Sequence, residues 1–164
     1  MPEIDAKLRL TGGCQCGAVR YAITGPPERV HLCHCRMCQK ATGGPFAALA
    51  PVWRSDFAWT RGSPSAFVSS SLTHRDFCAA CGTPLTFRYD DGETISVTLG
   101  SLDRPQDVPP VRHYGIEGRI GWLDTIDGLP GETTAASMSA ERARKFVSYQ
   151  HPDHDTEADW APQR

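Results

Sequence analysis

The chain is patterned as short apolar runs separated by turn residues from Leu8 to about Ile126. Strand-length runs that are bounded by Gly, Pro, Asp or Ser are typical of antiparallel sheets. The pattern predicts strands over 18–23, 45–52, 65–70, 83–89 and 94–99. We therefore expect a mainly β fold in which several small antiparallel sheets pack together.

Two of the predicted strands are close enough in the chain to form a hairpin. Segments 83–89 and 94–99 flank the turn sequence 90-DDGE-93. Glycine adopts positive φ at little steric cost, so Gly92 is expected to supply it in this turn.

Only two stretches favour helix. Residues 36–41 are predicted to form one or two turns. Residues 139–150 have Ser139 as N-cap and Phe146 and Val147 near one face, which predicts a short C-terminal amphipathic helix lying on the sheets. The residues beyond it are polar and contain proline, so the chain end is expected to be loosely held.

Composition and charge narrow the class of protein. A chain of 164 residues is long enough for one domain with a core and short for two. Its 17 basic and 19 acidic residues leave a net charge of −2, which gives no electrostatic reason to expect nucleic acid or an anionic membrane as partner. No apolar run approaches a membrane span and the charged N-terminus lacks an apolar core, so the cytoplasm is the expected compartment.

Seven cysteines carry the candidate chemistry, and their odd number in a reducing compartment points to metal or catalysis rather than disulfides. They fall into the runs 14-CQC-16, 33-CHCRMC-38 and 78-CAAC-81. Alternate residues of a strand share a face and a Cys-x-x-Cys turn folds back, so each spacing can aim two sulfurs at one ion. Gly17 and Gly82 follow two of these pairs and permit positive φ. Zinc is the favoured metal, while a redox dithiol at 78–81 and iron–sulfur ligation stay open.

Two divisions of the thiols are compatible with the spacing. One combines the outer runs into a closed site and leaves the middle run alone, giving a four-cysteine cluster (Cys14, Cys16, Cys78 and Cys81) and a three-cysteine cluster (Cys33, Cys35 and Cys38). The other joins Cys33 and Cys35 to Cys78 and Cys81 and leaves Cys38 free.

The order of these motifs resembles one known family, the glutathione-dependent formaldehyde-activating enzymes, whose domain is shared with centromere protein V. The resemblance rests on 12-GGCQCGAVRY-21, 33-CHCRMCQKATGGPF-46, 77-FCAACGTPL-85 and a late His113…Trp122 segment. It runs from about Thr11 to Pro130. We therefore expect a zinc domain over 11–130 and a C-terminal helix and tail over 131–164.

The resemblance implies a fold, a cofactor set and a reaction. Its fold is a set of small antiparallel sheets arranged like a tent around zinc. It implies two zinc ions per chain, a structural one on the four-cysteine cluster and a catalytic one on the three-cysteine cluster. Its reaction joins glutathione, a small thiol, to formaldehyde, a small aldehyde, as S-hydroxymethylglutathione, and the reverse reaction is that of a carbon–sulfur lyase.

A three-thiolate site needs a further ligand to be closed, and His34 is the rival candidate. In an extended Cys-His-Cys segment its ring points away from the two sulfurs, which makes binding of the same ion awkward. His31 and His74 are weighed as surface or supporting residues. We therefore expect the fourth ligand of the second zinc not to come from the protein.

Further site residues are predicted around the third cysteine of the middle run. Gln39, Thr42, Gly43 and Gly44 follow it directly and are expected to line a pocket for the thiol substrate, although the same residues could be only a turn. His113 is the candidate general acid. A zinc ion would bind the thiol as thiolate near neutral pH, or would instead polarise the aldehyde oxygen.

Two other classes of function remain. One is a non-enzymatic, zinc-stabilised binding module with a closed second site, and the other is an enzyme of the same fold that acts on a different thiol adduct. The short basic run at 141–145 is typical of a solvated helix face and does not indicate a chromatin partner. The sequence does not indicate an oligomeric state.

Overall fold

The computed structural model describes residues 9–161, and its fold is mainly β. The strands are β1 Leu10–Gly13, β2 Arg20–Ile23, β3 His31–Cys33, β4 Ala47–Trp53, β5 Phe57–Arg61, β6 Ser65–Ser70, β7 Thr73–Phe77, β8 Pro84–Tyr89, β9 Thr94–Thr98 and β10 Arg112–Tyr114. The helices are α1 Arg36–Thr42, α2 Thr134–Ser137 and α3 Ala140–Lys145. Short 3₁₀ turns lie at Arg54–Asp56, Leu99–Ser101, Pro105–Asp107, Ile116–Gly118, Gly121–Asp124 and Ile126–Gly128.

The strands form two sheets. The smaller sheet has the order β1-β2-β5 and the larger sheet has the order β10-β3-β4-β9-β8-β7-β6. Every pairing is antiparallel except that of β10 with β3, which is parallel. The predicted mainly β, antiparallel architecture is thus confirmed, with one parallel pair added where the chain returns to the edge of the larger sheet.

Apolar residues of both sheets share the main core. Tyr21 and Ile23 of β2 are fully buried with Val52 of β4 and Val97 of β9. Side chains alternate along a strand, so β4 also turns residues such as Leu49 toward its other face, where they meet α1. Helix α1, which carries Cys38, is thereby held on the face of the larger sheet that the main core leaves free.

The predicted strands correspond to β2, β4, β6, β8 and β9, and 83–89 pairs with 94–99 as an antiparallel hairpin as expected. The turn between them differs from expectation. Gly92 does not have positive φ, and its N–H reaches the Tyr89 carbonyl at 3.4 Å. The prediction for Gly92 is therefore wrong, since this turn is made with ordinary backbone angles.

The C-terminal helix is present but does not lie on the sheets. Ser139 caps α3 as predicted, accepting the Arg142 N–H at 3.3 Å. The helix ends at Lys145, and Phe146 and Val147 are 62% and 58% exposed. A helix of fewer than two turns presents too little apolar surface to anchor itself, which explains why that prediction was wrong.

The chain after α3 folds back onto the smaller sheet. His151 is 3% exposed and its N–H donates to the Gln15 carbonyl at 2.7 Å. Arg61 of β5 donates to the backbone of Thr156 and Glu157. The expected loose end therefore does not include 151–157, and its last part, 162–164, lies outside the described residues. The division of the chain at residue 130 stays a prediction.

No helix among residues 9–161 is both long enough and apolar enough to cross a membrane.

Candidate metal centres

The four-cysteine cluster joins two distant parts of the chain. Its sulfurs, from Cys14, Cys16, Cys78 and Cys81, all lie within 4.8 Å of one another. The Sγ atoms of Cys14 and Cys16 are 3.6 Å apart, and those of Cys16 and Cys78 are 3.8 Å apart. All seven cysteines of the chain are free thiols. The cluster is therefore a set of ligands that a shared ion could hold together.

Two similar turns position these sulfurs. The Gly17 N–H donates to the Cys14 carbonyl at 3.0 Å, and the Gly82 N–H donates to the Cys78 carbonyl at 2.8 Å. The two glycines have φ of 74° and 77°, a region that residues with a Cβ rarely adopt. The glycines predicted from their positions after the cysteine pairs are thus the ones that close both turns.

Polar groups of the same turns surround the sulfurs. The Val19 N–H donates to Cys14 Sγ at 3.3 Å, and the Thr83 hydroxyl lies 3.2 Å from Cys81 Sγ. Burial raises the pKa of Cys14 and of Cys78. Burial also acts on Cys81, but hydrogen bonds from Thr83 and other neighbours outweigh it and lower the pKa of this thiol to about 6. The donors here are neutral N–H and O–H groups.

The three-cysteine cluster is built from consecutive elements. Cys33 is the last residue of β3, Cys35 is the N-cap of α1 and Cys38 lies on α1. Their sulfurs lie within 4.8 Å of one another, and the Cys33–Cys35 distance is 3.5 Å. Among residues 9–161, no fourth His, Cys, Asp or Glu side chain joins this group.

An arginine that the sequence analysis did not single out touches this cluster. Arg75 of β7 donates from Nη2 to Cys38 Sγ at 3.3 Å. A hydrogen bond from the Cys33 thiol, joined by that from Arg75, lowers the pKa of Cys38 to about 5. The same bond and burial raise the pKa of Cys33. The two pKa values are shifted in opposite directions, so Cys38 is the more acidic thiol of the pair.

The three-cysteine cluster opens into a cavity of about 590 Å³ on the face of the larger sheet. All three cysteines line it. The aromatic residues around them are Trp53, Phe87, Tyr89 and Tyr114, and the basic ones are Arg29, His31, Arg75 and Arg88. A cavity of this size, apolar in most of its wall with a few polar groups, is suited to a small organic molecule.

His34 and His113 lie together on the other side of β3. His34 is 1% exposed, and its Nε2 is 2.8 Å from Nδ1 of His113. Their rings are stacked with centroids 5.1 Å apart. Burial, together with the neighbouring His113 and Arg119 side chains, lowers the pKa of His34. The expected orientation of His34, away from the sulfurs of its neighbours, is what the structure has.

The residues predicted to line a thiol pocket are placed in different surroundings. Gln39 is buried, and its side-chain amide donates to the carbonyls of His34 and Gly118 at 2.8 and 2.9 Å. Thr42 lines a second cavity of about 460 Å³ on the other side of α1. Gly43 caps α1 in the left-handed conformation, and neither it nor Gly44 lines the cavity of the three cysteines. Their part in substrate binding stays a prediction, as does the role of His113.

The other histidines and the late tryptophan are also accounted for. His31 lines the cavity, with Nδ1 3.0 Å from the Arg29 carbonyl. His74 pairs with Asp90. Trp122 is 55% exposed. Of these, only His31 shares the cavity with the three-cysteine cluster.

The chain is similar to proteins of several organisms. A Halomonas elongata protein that carries the name of a glutathione-dependent formaldehyde-activating enzyme is 27% identical over 163 residues, covering 93% of this chain and 94% of its own. An uncharacterized lyase of Schizosaccharomyces pombe is 29% identical over 93 residues, covering 57% of this chain and 63% of its own. A crystal structure of a Rhodobacter sphaeroides protein is 24% identical, with a TM-score of 0.45, over 63% of this chain and 98% of its own.

The chain also matches the model of a whole family. The model of the family described as glutathione-dependent formaldehyde-activating enzyme matches residues 9–117, more than half of the chain. The matched range contains both cysteine clusters and the cavity beside the second one. With its fold, its cysteines and this match in agreement, the chain belongs to the glutathione-dependent formaldehyde-activating enzyme family.

Proposed function

We propose that this protein is a zinc-dependent carbon–sulfur lyase that makes or breaks a thiol–aldehyde adduct, with S-hydroxymethylglutathione as the leading candidate. The observation that carries the proposal is the convergence of three cysteine sulfurs on a cavity in which no fourth described ligand side chain joins them. The lyase name of one relative and the glutathione-dependent name of the family support the same chemistry.

The donor sets of both clusters fit zinc. Zinc favours thiolate ligands in tetrahedral sites with a Zn–S distance of about 2.3 Å, for which sulfurs lie about 3.8 Å apart. The sulfur–sulfur separations of 3.5 to 3.8 Å agree with that geometry. We assign the four-cysteine cluster to a structural zinc and the three-cysteine cluster to a catalytic zinc, because only catalytic sites keep a position for substrate.

The cavity provides what a charged thiol such as glutathione needs. A zinc ion on three thiolates would supply a Lewis acid with affinity for a further sulfur. Arg29 and His31 line the cavity and suit a substrate that carries carboxylates, whereas Glu28 is the acidic residue of the wall. Aromatic walls exclude water from the reacting atoms, and holding thiol and aldehyde side by side removes much of the entropic barrier.

The reaction needs little more from the protein than positioning and one proton transfer. In adduct formation the sulfur–carbon bond forms, the carbonyl π bond breaks, and the proton lost by the thiol ends on the new hydroxyl oxygen. His113 is the predicted general acid. Because its ring rests against His34 on the far side of β3, we expect His113→Gln to lower the rate less than the loss of a cysteine ligand does.

The test is an exchange measurement at equilibrium, since the uncatalysed addition of thiols to formaldehyde is itself quick. Wild type and Cys35→Ser are compared at equal protein concentration by following exchange between free thiol and adduct, with glutathione and a panel of other small thiols. We expect faster exchange with wild type and background exchange with Cys35→Ser. Equal rates for the two proteins with every thiol would overturn the proposal, and acceleration with another thiol alone would change the substrate but keep the reaction.

A further inference from the structure

The Arg75 guanidinium is nearly buried and has an unusual set of partners. Its residue is 9% exposed, Nε donates to Ser69 Oγ at 3.0 Å, and the guanidinium carbon lies 4.8 Å from the centre of the Phe87 ring. None of the ion pairs among residues 9–161 includes Arg75. The group that faces its Nη2 is the sulfur of Cys38.

A buried cation without an anionic partner is costly, because a charge loses its hydration when it leaves water. A guanidinium is always protonated, so it cannot escape this cost by giving up its proton. The group that the structure places beside it is the sulfur of Cys38, which is an anion when it binds a metal ion. The contact is therefore more than packing between β7 and α1.

The charge of a loaded three-cysteine site explains why a cation is needed there. Three thiolates and a divalent ion carry a formal charge of −1, and one more thiolate makes it −2. Like charges in a partly buried site repel strongly, because the local dielectric is lower than that of water. Without a nearby cation, the site would resist the anionic sulfur that the proposed reaction brings to it.

We propose that Arg75 is a positioning residue of the three-cysteine site, holding Cys38 in place and offsetting the thiolate charge so that a further anionic sulfur can be accepted. The inference rests on the proposed function of this cluster. Arg75 also lines both the 590 Å³ cavity and the 460 Å³ cavity, so it stands at the wall between them. It is thus placed beside the sulfur of Cys38 without belonging to the ligand set.

The test uses the full chain with both sites loaded with cobalt(II) in place of zinc. Sulfur-to-cobalt charge-transfer absorption reports directly on the thiolates, and titration with glutathione measures binding of a further sulfur without any turnover. Arg75→Met keeps an unbranched apolar stem and removes the charge, and Arg75→Gln keeps a hydrogen-bond donor without the charge. Arg112→Met is the matched control, because Arg112 is an exposed arginine of β10 that bonds the Tyr114 hydroxyl and no sulfur.

We expect Arg75→Met and Arg75→Gln to shift the charge-transfer band of the three-cysteine site to lower energy and to weaken glutathione binding about 10- to 100-fold. Arg112→Met, with the same change in net charge, should behave as wild type. Circular dichroism and thermal melts of each variant show whether it is folded. If Arg75→Met does not fold, Arg75→Gln and Arg75→Lys are compared, and only the lysine variant should keep wild-type affinity within a few-fold.

Unchanged band position and unchanged glutathione affinity in folded Arg75→Gln would overturn the proposal and leave Arg75 as a packing residue. A different result would overturn the proposed function instead. If wild type binds cobalt only at the four-cysteine cluster, or binds two ions but no thiol, the three-cysteine site is not the centre assigned above.

Discussion

The four-cysteine and three-cysteine clusters are both built from cysteine side chains, but they differ in how far apart in the chain those cysteines lie. The first takes its sulfurs from two turns that are more than sixty residues apart, so binding of one ion would tie β1 to the β7–β8 connection. The second takes its sulfurs from the six residues 33–38, already ordered by β3 and α1. A crosslink between distant segments contributes to folding, whereas a local set on ordered elements is free to serve catalysis.

The two clusters also differ in the groups that face their sulfurs. Backbone N–H and threonine O–H groups face Cys14 and Cys81, and a guanidinium faces Cys38. Neutral donors help to hold a fixed set of ligands in place. A full positive charge beside one sulfur additionally offsets an incoming anion, which is useful only where a ligand is exchanged.

The largest expected difference is in folding. Cys81→Ser should lose cooperative folding or melt far below wild type, because the binding energy of a structural zinc, about 10 kcal/mol, becomes folding energy. Cys35→Ser should stay folded, because β3 and α1 do not depend on a crosslink. Circular dichroism and thermal melts of the two variants measure this. Equal unfolding of both would break the division into a structural and a catalytic cluster.

The next difference is in metal retention. A chelator titrated into the zinc protein should remove one ion first, and that ion should come from the three-cysteine cluster, which has fewer protein ligands. Metal analysis after each step, together with alkylation mapping of the released thiols, identifies the emptied cluster. If Cys14 and Cys78 became open to alkylation before Cys33 and Cys38, the four-cysteine cluster would be the weaker metal site and the prediction would be wrong.

A third difference concerns the ionisation of cysteine thiols after the metal has been removed from the three-cysteine cluster alone. Because its partners lower the pKa of Cys38 to about 5, this thiol should be a thiolate at neutral pH, and its ultraviolet thiolate absorbance should be lost as the pH falls through about 5. Its contribution to stability should be fully present above pH 9 and should be lost toward pH 5. Subtracting the spectrum of Cys38→Ser from that of wild type isolates the absorbance of the Cys38 thiolate. A transition only near pH 9 would contradict the prediction.

The smallest expected effect is a difference in stability between alanine variants of the two turn glycines, Gly17 and Gly82. Alanine at either turn glycine must adopt positive φ, which costs about 1–2 kcal/mol. At Gly17 the new Cβ would also lie 2.3 Å from the His151 ring and 2.9 Å from Trp160, whereas at Gly82 it would meet nothing within 4 Å. Gly17→Ala should therefore lower the free energy of unfolding by more than Gly82→Ala does, as measured in urea. The reverse order would show that the C-terminal segment does not bear on this turn.

The parts of the fold that the sequence predicted are those with strong local signals. β6, β8 and β9 combine β-prone residues with clear turn signals at their ends, and α1 follows directly from the spacing after Cys35. β7, with the sequence THRDF, was missed because three of its five residues are polar and buried. Such a strand is specified by its two neighbours in the sheet, which a local pattern does not reveal.

The sequence by itself determined the candidate ligands, because thiol spacing and the glycines after each pair are properties of a few adjacent residues. Tertiary structure decided which pairs meet and what faces them. Arg75 is 37 residues from Cys38, and the two meet only because the Arg75 side chain leaves β7 on the face of the larger sheet where α1 packs. His151 and Gly17 are also far apart in the sequence, and they too are brought together only by the tertiary structure. Contacts of this type depend on strand order and register, which arise from the packing of the whole core rather than from any single segment.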